Sequence, residues 1–209
     1  KVVGMQYFAK PGSIARTIWG NSDTMLLVFT GSAAEFALNR TVDWLFFTGK
    51  LPGDPIGRLF STAQFAQSIM FADLQTAQHT IERINRIHAA VERQRGQRIP
   101  DWASRDVLYM LMDYSERAYE LLHRPLTPAE RDELYAVNMR FGQIMGIPDL
   151  PTTYNAWQSD RQQHLERDLV TQGARTAVAL STPNDDDAGP SRFRRSAPPG
   201  PSCRMSRRR

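Results

Sequence analysis

From Thr24 to Leu169 the apolar side chains of this chain recur every three or four residues, and no segment alternates strictly with period two. An α-helix repeats its face about every 3.6 residues, whereas a half-buried strand repeats every second residue. The pattern therefore predicts helices with one buried face and no sheet. Short turn-rich gaps separate the segments. The reading is an all-α fold, a single helical bundle domain of six or seven helices over roughly residues 11–175.

Thr24–Phe36 and Ala37–Phe47 read as one broken or two consecutive buried helices, followed by a loop at Gly49, Pro52 and Gly53. Asp54-Pro55 is a start signal, because Asp caps a helix and Pro suits its first position, where a missing N–H costs nothing. The spacing predicts a helix over roughly 54–71 and another over 73–94, with the stripe Leu74, Ala77, Ile81, Ile84, His88 and Val91. Gly96 closes the latter. Pro100-Asp101 opens a helix carrying Val107, Leu108, Leu111, Tyr114, Ala118 and Leu122. Thr127-Pro128-Ala129-Glu130 is a capping box, the sharpest local signal present. That helix buries Leu134, Val137, Phe141 and Ile144 and ends at Gly146, with Pro148 beyond. A last helix starts near Thr153 and passes Trp157 and His164.

Charge is uneven. Residues 1–180 hold 19 basic and 19 acidic side chains, and residues 181–209 hold seven Arg against three Asp, so the net +4 resides in the tail. No nucleic-acid role is expected for the folded domain. With five Pro, five Ser and only Phe193 and Met205 as large apolar residues, the tail 181–209 is expected to be disordered. Its composition is also what a shifted reading frame in GC-rich DNA produces. Cys203 is the one cysteine, which excludes an intrachain disulfide and any thiolate site in residues 1–180 and fits a reducing, cytoplasmic compartment. The chain starts at Lys1, so an incomplete N-terminus is expected, and residues 1–20 carry no signal-peptide run. The most apolar stretch, Met25–Phe47, contains Glu35, Asn39, Arg40 and Asp43, so a buried helix pair is expected and no transmembrane segment.

Four histidines are candidates for chemistry. His79 falls off its helix's apolar stripe, and His123 and His164 sit near helix ends among polar neighbours, so surface roles are expected for all three. His88 takes a place where Ile or Leu would be expected. It is either a core histidine satisfied by a carbonyl or carboxylate, or an axial ligand in an apolar pocket; haem needs one such imidazole and few other groups. No His-x-x-x-His or Glu-x-x-His pair is present, which disfavours zinc and di-iron sites. On the preceding helix Arg58 and Thr62 share a face and could meet bound oxygen or a carboxylate. The other reading pairs Arg58 with Asp54 and bonds Thr62 back to a carbonyl.

The runs Asp54-Pro-Ile-Gly-Arg-Leu-Phe-Ser-Thr62, Arg86-Ile-His88-Ala-Ala-Val91, Arg117 to Arg131, and Gly146-Ile-Pro148 resemble, in this order and spacing, the MpaB-type oxygenase and rubber oxygenase (latex-clearing protein) catalytic domain. The resemblance covers roughly residues 11–170. It implies an all-α fold and a b-type haem (haem b) supporting oxidative cleavage of carbon–carbon double bonds, with O₂ and an apolar small-molecule substrate. It further implies His88 as proximal ligand and Arg58 and Thr62 as the arginine and threonine of the distal Arg-x-x-Lys-Thr motif. Three positions depart from the pattern. Ser61 replaces the lysine of rubber-cleaving members, and Leu38 and Leu108 stand where many relatives carry histidine. The chain also changes character after residue 180, where family members continue with further helices, so an incomplete cofactor pocket is expected.

Two functions follow as expectations: a haem-dependent oxygenase, or a non-catalytic helical relative that binds an apolar ligand or a partner protein. A third concerns only residues 192–209, whose arginines suit nucleic acid or anionic lipid.

Overall fold

The computed structural model describes residues 6–39 and 55–168, the side chains of Pro55, Ile56, Arg58 and Leu59 excepted. Seven helices occupy these residues: α1 (Ile14–Gly20), α2 (Ser22–Ala37), α3 (Pro55–Met70), α4 (Leu74–Arg95), α5 (Asp101–Leu122), α6 (Pro128–Met145) and α7 (Tyr154–Asp168). The isolated bridge Tyr7–Asp73 is an extended pairing without a strand, so the all-α expectation holds for the described residues. The helix expected over Ala37–Phe47, the Asp54 cap and the tail 181–209 lie outside them. No helix of the described residues is long and apolar enough to cross a membrane.

The local signals act where the sequence places them. Thr127 accepts from the Glu130 amide at 3.3 Å while the Glu130 carboxylate accepts from the Thr127 amide at 2.9 Å, so two orphan donors at the start of α6 are satisfied at once. Gly96 and Gly146 close α4 and α6 with φ of 68° and 76°, a conformation that disfavours a Cβ. Asp73 caps α4 by accepting from the Thr76 amide at 2.9 Å. One helix escapes the sequence reading: α1 spans seven residues, too few to show a period, yet buries Ile14, Ala15, Ile18 and Trp19. Its signal was the Ser13 cap, which accepts from the Arg16 amide at 3.2 Å.

Helix α5 runs through the middle of the bundle and is buried on several sides. Against it α2 packs antiparallel, with Thr24 beside His123 at one end and Asn39 beside Asp106 at the other. The Tyr114 ring of α5 lies so close to the α2 backbone that a Cβ on Gly31 would run into it. The main core gathers Phe8, Ile18, Trp19, Phe29, Ile69 and Ile81, and a second cluster gathers Leu108, Tyr109, Met112, Met139, Ile147 and Trp157. The turn Phe71–Asp73 folds α4 back along α3 as an antiparallel hairpin. The N-terminal segment pins that turn, since Phe8 N–H donates to Ala72 O at 3.1 Å and Leu74 N–H to Gln6 O at 2.7 Å.

Candidate functional site

The α3–α4 hairpin carries His88, Arg58, Ser61 and Thr62. Its register follows from one contact: the Arg83 guanidinium lies 5.4 Å from the Phe65 ring centroid, placing these two residues at similar height. Arg58, Ser61, Thr62 and His88 all lie in the half of the hairpin away from its turn. The Arg58 side chain itself lies outside the described ones, and Ser61, Thr62 and His88 each have an interaction partner.

Burial along the hairpin is graded. On α4 the inward stripe is sealed near the turn, with Ala77 and Ile81 at 0% exposure, and only half-buried at Ile84, His88 and Val91. On α3, Ile69 and Met70 are buried near the turn, Ala66 and Ala63 before them are half-buried and packed on the main core, and Thr62 beside them is exposed. His88 is half-buried, with Ile84 and Val91 one turn away on either side along its own stripe.

A second polar group is assembled elsewhere, and the sequence reading missed it. Arg161 of α7, 4% exposed, donates to Glu35 Oε2 at 2.6 Å and to Asp113 Oδ2 at 3.1 Å, and pairs with Asp106 Oδ1 at 3.6 Å. Burial alone would push this guanidinium down; the Glu35, Asp113 and Asp106 carboxylates outweigh it and hold the group above its ordinary value. Asn39 donates to the other oxygen of Asp106. His164 lies one turn from Arg161. Its Nδ1 is 3.5 Å from Asp106 and 3.6 Å from Asp168, and its Nε2 is 3.8 Å from Asp160. At 1% exposure it corrects the expectation of a surface role. The reason is tertiary: α7 lies on α5, so the face carrying Arg161, His164 and Asp168 turns inward to buried carboxylates while Gln162, Gln163, Glu166 and Arg167 beside it stay exposed. His79 and His123 are exposed as expected, and His123 Nε2 is 3.2 Å from Thr24 Oγ1.

Of the two positions where relatives carry histidine, Leu38 is 45% exposed at the C-cap of α2, and Leu108 is buried. Leu108 packs against Gly142, where an added Cβ would come within 2.7 Å of it, so hydrocarbon fills that place. Two surface clefts, of 340 and 330 Å³, are lined by polar residues of α5, α6 and α7, among them Arg131, Tyr154 and Gln158, and neither includes His88. No group of three or more His, Cys, Asp or Glu among the described residues is arranged to hold a metal ion.

A family profile described as "ER-bound oxygenase mpaB/B'/Rubber oxygenase, catalytic domain" matches residues 19–205. No curated protein and no solved structure matches the chain. The profile takes in the α3–α4 hairpin and every helix after it. By the extent of that match and its helical architecture, the chain belongs to the MpaB/rubber oxygenase catalytic-domain family.

Proposed function

We propose that this domain is an oxidoreductase that holds a b-type haem at the end of the α3–α4 hairpin away from its turn and acts with O₂ on an apolar small molecule. The observation that carries the reading is half-buried His88 between Ile84 and Val91 on the inward stripe of α4, in the half of the hairpin that also holds Arg58 and Thr62. Haem binding needs an imidazole among apolar side chains and few other groups. His88 would supply the axial nitrogen, held in direction by Ile84 and Val91 one turn away on either side. Thr62, and Arg58 one turn before it, would present a hydroxyl and a guanidinium from the facing helix. When bound, haem supplies the redox chemistry of oxygen; the protein's part is to orient it, set its electronics through His88 and keep water from the apolar substrate. With Ser61 in place of lysine, no amine is available at that position to cap the iron.

Titrating the purified protein with haem tests this. A Soret band should develop in the parent, vanish in His88→Ala and persist in His79→Ala, with substrate-dependent O₂ uptake following the band. No band in the parent would end the proposal. A second reading, a helical relative without cofactor that binds an apolar ligand, draws on Leu108, whose buried side chain occupies a place where relatives carry histidine. It requires binding of an apolar fluorophore with no iron content after expression with ample haem.

A further inference from the structure

Beyond the α3–α4 hairpin, the second core cluster contains a run of aromatic rings in near-contact that packing alone does not require. Tyr135 of α6 and Tyr154 of α7 have ring centroids 6.5 Å apart, Tyr154 and Trp157 5.3 Å, and Trp157 and Tyr109 of α5 6.4 Å. The run leads from half-buried Tyr135 and Tyr154 to Tyr109, which is fully buried. Its hydrogen bonding is systematic. Tyr109 OH donates to Asp160 Oδ2 at 2.7 Å, and Tyr154 OH donates to Glu116 at 2.7 Å. Trp157 Nε1, between them, is buried without an acceptor, although a buried indole N–H normally has one. A carboxylate on a phenol makes its oxidation proton-coupled. An indole with no base beside it keeps its proton and passes only the electron.

We propose that Tyr135, Tyr154, Trp157 and Tyr109 form a chain for moving single oxidising equivalents, with Tyr109 and its proton acceptor Asp160 as the terminal, longest-lived site. A strong one-electron oxidant at the surface, in the test a ruthenium(III) polypyridyl complex, takes an electron from Tyr154 and becomes ruthenium(II), while the Tyr154 proton passes to Glu116. An electron from Tyr109 then refills Tyr154 by way of Trp157, and Tyr154 recovers its proton. The Tyr109 proton moves along its hydrogen bond to Asp160, leaving a neutral tyrosyl radical and a protonated carboxyl. Burial, then the bond to Asp160, hold the Tyr109 phenol well above its ordinary value, so the hydroxyl stays protonated until the ring is oxidised. The assignment itself needs no haem, so it stands or falls separately from the role of His88.

Flash photolysis of the purified protein with tris(bipyridine)ruthenium and an irreversible cobalt(III) quencher, followed by freeze-quenched electron paramagnetic resonance, reads the radical directly. The parent should give one dominant, long-lived tyrosyl signal out of its six tyrosines. Tyr109→Phe should remove it, Asp160→Asn should shorten its lifetime, and Trp157→Phe should slow its appearance. Tyr109→Phe keeps the ring and loses only a hydroxyl, and Asp160 is 34% exposed at its side chain, so both variants should keep their circular dichroism and melting profile. Tyr7→Phe, outside the run, should change nothing. A signal undiminished in Tyr109→Phe, or no long-lived signal in the parent, overturns the proposal. If Trp157→Phe does not fold, Tyr154→Phe takes its place, and an unchanged rate of appearance there overturns the path.

Discussion

Two histidines sit on inward-facing positions of two helices, and their surroundings differ in kind. His164, with Arg161 one turn away, is closed in by α2, α5 and α7 among Glu35, Asp106, Asp113 and Asp168, and almost nothing of it reaches solvent. His88 has Ile84 and Val91 for neighbours on its stripe and is left half-open. Polar groups sealed with opposite charges fasten helices to each other, because separating them would strand charge in a medium of low dielectric constant. A half-buried imidazole among aliphatic stripe neighbours strands no comparable set of charges when it is removed. The first region is a lock, and the second is the place of the proposed haem ligand.

That contrast can be broken from either side. The largest expected effect is on the lock: Arg161→Met strands three buried carboxylates and should cost about 3–5 kcal/mol, read from urea unfolding. A loss below the scatter of surface variants would mean the network holds nothing. Next is the seam that brings Glu35 to Arg161. Gly31→Ala drives a methyl into the Tyr114 ring and should cost about 1–3 kcal/mol, relieved when Tyr114→Ala is added. A smaller effect belongs to an exposed pair outside both regions. The Arg124 guanidinium, then the Thr127 amide, lower the Glu130 carboxyl from 4.5 to about 2. A carboxyl lowered in the folded state stabilises above its unfolded value, and that contribution is lost as pH falls through the folded one. The gap in thermal midpoint between parent and Glu130→Gln should therefore shrink as pH falls from about 4.5 toward 2. A small stability change is expected at half-buried His88, where His88→Ala should cost about 1 kcal/mol or less while abolishing the haem spectrum. A large destabilisation there would make His88 another part of the lock.

Much of this was legible in the sequence because it is local. The capping box at Thr127, the closing glycines at 96 and 146, and the stripes of α4 and α6 each involve residues within two turns of one another. The candidate site was legible for the same reason, since Arg58, Thr62 and His88 lie on consecutive helices joined by one short turn. The lock was not. Glu35 and Arg161 are 126 residues apart, and Asn39 and Asp106 are 67 apart; no periodicity links such partners. His164 was misplaced for that reason: its exposed neighbours Gln162, Gln163 and Glu166 suggested solvent, while its own face meets buried carboxylates from other helices.

What the amino-acid order determined alone is the set of helices, where most of them start and stop, and which residues share a face. These depend on backbone hydrogen bonds and caps closed over a few residues. Only the tertiary structure decided which faces meet. It buried five charged or ionisable side chains around Arg161 and brought four aromatic rings from three helices into a run. Burial is a property of the assembled surfaces, and a chain's own periodicity cannot say what will lie across from it.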